Sequence, residues 1–238
     1  MPEGFVEIQM ALLDAIERAD RTSAQAMLRT WAAAHGPERL LAEVIEPVLA
    51  WIGEGWRRHE SFTIAQGYIA AKVIEDALDQ IITPSQLRSS ENATGRPAVI
   101  GNIEGDFHSL GRRMVGIFLR ANGWNVHDLG NDVPGSLFVE TALQTGARVI
   151  GVSAMTLTTA HEIRKLRSEI DNRKLAGRLK LAVGGAVFVV CPDIVDQVGG
   201  DGTAASALHA PRLFDVLWEA SVSAARPAGL SAAQGVLL

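Results

Sequence analysis

The chain has a single cysteine, Cys191, in 238 residues. That excludes an internal disulfide and any multi-thiolate zinc site, and a reducing, cytoplasmic setting is expected. Long apolar runs are missing too. None approaches the roughly 18 residues of a membrane span, and Met1-Pro2-Glu3-Gly4 lacks the basic start of a signal peptide. Positive charge is not in excess: the formal net charge is −5, which argues against a nucleic-acid partner. The basic stretch 164–180 reads as a solvated helix face. The segment Gly101-Asn102-Ile103-Glu104-Gly105 does not supply the Gly-x-Gly-x-x-Gly of a dinucleotide site, and no Gly-Lys-Ser/Thr of a P-loop follows it. Neither a poised carboxylate pair nor a Ser–His–Asp order is apparent, so no catalytic residues are assigned and a binding protein is expected rather than an enzyme.

What is present changes character near residue 90. Before it, apolar residues recur at helical spacing: Phe5-Val6-Ile8-Leu12-Leu13-Ile16, then a helix over 22–34, a third from Pro37 to about Trp56, and a fourth over 62–82 with Ser61 as N-cap. Four helices with short connections predict a four-helix bundle. The polar, turn-rich stretch after it reads as a linker. Strands are then expected at 98–103, 124–129, 148–153 and 179–183, with a short fifth near 202–206. Helices are expected at 109–122, 135–145, 159–173, 192–198 and 209–223. This alternation predicts a doubly wound parallel sheet of Rossmann or flavodoxin-like type. The expected division is a helical cap at 1–83, a linker at 84–95, an α/β domain at 96–224 and a loose tail at 225–238.

The most informative residues follow the first strand: Gly105-Asp106-Phe107-His108-Ser109-Leu110-Gly111. An Asp-x-His-x-x-Gly turn there puts one imidazole at the mouth of a parallel sheet, where α/β folds bind ligands. Asp106 can accept one ring N–H and fix the tautomer, as carboxylates do behind metal-bound histidines. Gly111 permits close approach of whatever lies over the loop. The third strand ends in Ser153-Ala154-Met155-Thr156-Leu157-Thr158-Thr159 and the fourth in Gly184-Gly185. Small residues at two adjacent strand ends describe a slot, with His108 at its rim. On its own, His108 reads equally as a turn histidine capping a helix.

This ordered set resembles the cobalamin-binding domain shared by methionine synthases, B12-dependent mutases, corrinoid methyl carriers and B12-based photoreceptors. The resemblance covers about 96–220, including Asp128-Leu129-Gly130-Asn131-Asp132-Val133-Pro134 after the second strand, and the helical half is similar to the cap that precedes the domain in several members. It implies base-off cobalamin, in adenosyl, methyl or hydroxo form, with His108 as lower cobalt ligand and Asp106 bonded to the far nitrogen. Ser109, Gly111, Ser153, Met155 and Thr158 would join the cofactor site, and Gly184 and Gly185 would clear room for the nucleotide tail.

On the cap, Trp56 matches the light-responsive adenosylcobalamin repressors, but Gln66-Gly67 stand where those have Glu-His. The first loop also departs from the Asp-Val-His-Asp-Ile-Gly-Lys of methyl carriers. An open upper face, with Gly67 beside Gln66 and Tyr68, resembles the photocobilins and would admit a bilin such as biliverdin. The expectation is therefore a cobalamin-binding sensor or photoreceptor, signalling through a homo-oligomer or a downstream protein. The alternative is a corrinoid methyl carrier of a methyltransferase system.

Overall fold

A computed structural model of the chain describes residues 6–58, 64–81 and 95–225. It separates into two compact units: residues 1–96, 109–125 and 205–211 in one, and 97–108, 126–204 and 212–238 in the other. Most of the expected linker, the N-cap Ser61 and all but the first residue of the expected tail lie outside the described residues.

The first unit is helical. Helix α1 spans Glu7–Glu17 and α2 Arg21–His35. Asp20 opens α2 by accepting the Ser23 N–H at 3.0 Å. Gly36, at φ +90°, ends it, and Pro37 starts α3 (Pro37–Leu40) where a missing N–H costs nothing. The single helix expected from Pro37 is an interrupted one. A five-residue π-helical turn, Leu41–Ile45, joins α3 to α4 (Glu46–Arg58). Gln9 reaches this turn from α1, its Nε2 donating to the Glu43 carbonyl at 2.6 Å. Helix α5 covers Ile64–Ile81.

Leu12, Ile16, Leu28, Leu41, Ile45 and Ile74 form the buried core of this unit. Helix α6 (Ser109–Ala121) contributes Met114, Ile117 and Phe118 to the same core, one apolar stripe at helical spacing. Two polar contacts run along α5 and α6 one turn apart: Ser109 Oγ donates to Glu75 Oε1 at 2.8 Å, and Arg113 donates to Asp79.

The second unit carries the sheet. Strands β1 (Pro97–Asn102), β2 (Asn125–Asp128), β3 (Val149–Ser153), β4 (Lys180–Gly184) and β5 (Gly202–Thr203) lie in the order β2-β1-β3-β4-β5. The β1/β3, β3/β4 and β4/β5 pairs are parallel. Helices α7 (Gly135–Thr145) and α8 (Leu157–Asn172) supply Phe138, Ile163 and Leu166 to a core shared with Val99, Ile150 and Val152. Gly101 is required here, because a Cβ on it would stand 2.7 Å from the Phe138 ring.

The expected helix at 192–198 is the shorter α10 (Ile194–Gln197), and an unforeseen short helix, α9 (Ala186–Val190), precedes it across Cys191-Pro192. Proline cannot continue the first of them. The fifth strand stops at Thr203, and the last helix, α11, spans Ala210–Ala225. Chain order reverses direction across the sheet between β1 and β3. The carboxyl ends of those two strands are where such a fold leaves a crevice.

Candidate functional site

Residues at that crevice converge on one carboxylate. Asp106 is 1% exposed, held in the turn after β1 by its N–H to the Ile103 carbonyl at 2.9 Å. Its Oδ1 accepts from Asn102 Nδ2 at 2.9 Å and from the His108 N–H at 2.9 Å. Its Oδ2 accepts from the Met155 N–H at 2.6 Å and from Thr159 Oγ1 at 3.1 Å. The last two donors come from the start of α8, where the helix dipole favours a negative charge. Burial pushes the Asp106 pKa up. The bonds from His108, Met155, Asn102 and Thr159 outweigh it and hold the carboxyl below its usual 3.8.

His108 Nδ1 lies 3.3 Å from Asp106 Oδ1, while the imidazole is 62% exposed. With the Nδ1 proton directed at the carboxylate, Nε2 carries the lone pair, and among the described residues it has no hydrogen-bond partner. The outer side of the loop is braced by the turn after β2. Asp132 Oδ1 accepts the Gly105 N–H at 2.7 Å, and the Asp132 N–H donates to the Asp106 carbonyl at 3.1 Å. An exposed imidazole on a buried, fully bonded carboxylate is the geometry that carboxylates give to metal-bound histidines.

Beside it, Asn102, Ser153 and Gly184 sit in register across β1, β3 and β4. In a sheet, neighbours in register share a face, so the missing Gly184 side chain leaves room next to Ser153. A Cβ built on Gly184 meets nothing within 4 Å. Gly185 is fixed for a different reason: at φ +112° its Cβ would fall 2.0 Å from the Ala154 carbonyl oxygen. The residues present therefore fit a cobalt corrinoid. The histidine offers one free nitrogen, and the missing Gly184 side chain leaves space at the strand ends.

Of the residues singled out in the sequence, His108 and the Met155 backbone N–H both meet Asp106, and Ser153, Gly184 and Gly185 lie at the neighbouring strand ends. Thr158 is exposed, and it is Thr159 that reaches Asp106. Ser109 spends its hydroxyl on Glu75, and Gly111 is exposed in the first turn of α6. In the helical unit, Gln66 is half-buried and Gly67 buried near the start of α5. Trp56 lies in the last turn of α4, its side chain outside the described residues. Sequence reasoning missed Asn102 and Thr159. The signals were a lone polar residue closing an apolar strand, and a Thr-x-x-Thr at a helix start.

Residues 96–211 match the B12 binding domain family. Together with the relatives below, this makes the chain a member of the corrinoid proteins built on that domain. Its relatives include trimethylamine corrinoid protein 1 of Methanosarcina mazei, 30% identical over 182 residues, which are 76% of this chain and 83% of that protein. Dimethylamine corrinoid protein 2 of the same organism is 38% identical over 120 residues, 50% of this chain and 55% of the relative. Among solved structures, the monomethylamine corrinoid protein of Methanosarcina barkeri superposes with a TM-score of 0.72 at 27% identity. That match covers 88% of this chain and 98% of the other.

Proposed function

We propose that the protein is a methyl-carrying corrinoid subunit, with His108 as the lower cobalt ligand and a methyltransferase as its partner. The observation that carries this is the exposed His108 imidazole seated on buried Asp106, in a chain whose relatives are named as methylamine corrinoid proteins. A corrinoid held there in reduced form would supply a nucleophilic cobalt, the chemistry that methyl transfer from a donor to an acceptor needs. The protein's own part is to bind, orient and hold a proton. Asp106 keeps the Nδ1 proton of His108 in place, so Nε2 faces outward with its lone pair. Gly184 and Gly185 leave space for the cofactor's nucleotide arm, and Ser153 offers a hydroxyl along it. The chain would then be an accessory of catalysis rather than an enzyme.

Of the two readings set out from the sequence, the relatives support the carrier over the photoreceptor. A bilin rests only on the open face at Gln66, Gly67 and Tyr68, where the Glu-His pair of the adenosylcobalamin repressors is absent. No helix among the described residues is long and apolar enough to cross a membrane.

The test supplies isotope-labelled mono-, di- or trimethylamine to the cobalamin-loaded, reduced protein together with the matching methyltransferase. Uptake of label onto the loaded protein, lost in His108→Ala, is the expected result. A light-driven spectral change with no uptake from any amine would return the sensor reading.

A further inference from the structure

We propose that Asn102 is the positioning residue for the cobalt-ligating histidine, an inference that rests on the reading of His108 as lower ligand. Asn102 is the last residue of β1 and the one polar side chain in Pro97-Ala98-Val99-Ile100-Gly101-Asn102; it is 0% exposed. A carboxamide placed there is costly unless its donors are used. Both are. Nδ2 donates to Asp106 Oδ1 at 2.9 Å and to the His108 carbonyl at 3.1 Å.

The two acceptors are the ends of the three-residue segment Asp106-Phe107-His108, so one amide group closes that segment into a ring. The backbone of Asn102 is itself anchored. Its N–H donates to the Gly130 carbonyl at 2.9 Å, and its carbonyl accepts from the Val133 N–H at 3.0 Å. The loop after β2 thus fixes the strand end, and the strand end fixes the ligand loop. Packing alone would be met by any residue of similar volume. Two diverging N–H donors at this reach call for an amide side chain. Without them, the His108 carbonyl loses its side-chain donor and the carboxylate loses one of the bonds that turn Oδ1 toward the ring.

The consequence is a bias in how firmly His108 holds cobalt. Full-length protein grown with [15N]histidine is loaded with cob(II)alamin and followed by electron paramagnetic resonance. The protein's histidine splits the cobalt lines into doublets, whereas added unlabelled imidazole gives triplets. Competition between the two is read directly. In Asn102→Ala the imidazole concentration that displaces His108 halfway should fall roughly five- to tenfold, the worth of one or two hydrogen bonds. Asn102→Ser, which keeps one donor and guards against a misfolded alanine variant, should fall between the two.

A midpoint unchanged from wild type in either folded variant overturns the proposal, whatever happens to thermal stability. His108→Ala separates the underlying reading. If doublets persist there, the ligand assignment is what fails. If they vanish there but the Asn102 variants match wild type, the assignment stands and Asn102 only fills space.

Discussion

In the helical unit, ion pairs such as those of Arg18 and Arg39 lie outside. Arg18 with Asp14 and Arg39 with Glu43 face solvent one helical turn apart, and the core behind them is apolar. The buried polar side chains there, Gln9 and Arg112, each keep 8% of their surface. The sheet unit reverses this at one rim, where Asn102 and Asp106 are sealed at 0% and 1%. One unit is held by area, and its surface charges add little in high dielectric. The other commits part of its stability to a polar arrangement that tolerates almost no change of shape. A site has to be built that way, because an unpaired buried carboxylate would cost more than the ligand loop gains from packing.

Substitutions can break this contrast. The largest effect is expected from Gly185→Ala, which drives a methyl group into the Ala154 carbonyl at a positive φ. A loss of more than about 4 kcal/mol, or failure to fold, is the expected outcome in urea unfolding. Next comes Leu41→Ala, fully buried in the helical core, at about 3 kcal/mol by the same measurement. That loss should leave the His108 spectroscopic signature untouched if the two units are held by separate means.

Asp106→Asn should cost about 2 kcal/mol at neutral pH, because the new NH2 faces donors where an acceptor stood. Its pH dependence sharpens the comparison. The folded-state pKa of Asp106 is lowered, so its contribution is complete above the usual 3.8 and is lost as pH falls through the lower folded value. The gap between wild type and variant should therefore close in that acid range and nowhere above it. Smallest of all is Arg39→Ala, whose pair with Glu43 is open to water; its melting temperature should match the parent's. A clear drop there would mean the helical unit relies on its surface charges after all.

Much of this was legible beforehand. The parallel sheet could be read because its central strands are unbroken apolar runs, and the Asp106–His108 pair because two residue types with a fixed chemical partnership stood two apart. Thr159 was not read, since Thr158 and Thr159 are chemically equivalent in a string of letters. Only the phase of α8 decides which hydroxyl meets Asp106. Asn102 escaped notice because its partners lie four and six residues away across a turn. The break at Leu41–Ile45 was not legible either: Leu40-Leu41, Val44-Ile45 and Val48-Leu49 are adjacent apolar pairs, a stripe wide enough to hide a one-residue shift of phase.

That turn has an engineering meaning. A π turn holds one residue more than the α-helix it interrupts, and each residue of a helix carries about 100° of rotation. Everything from Glu46 to Arg58 is therefore set at an angle that a straight helix from Pro37 would not give it. The stretch Leu41–Ile45 works as an insertion already absorbed into the fold. Removing one of its residues would leave the chain helical throughout, yet turn Val48 and Ile52 away from the core and strand Gln9 without the Glu43 carbonyl it now meets. Length and orientation, usually locked together in a helix, are here adjusted separately.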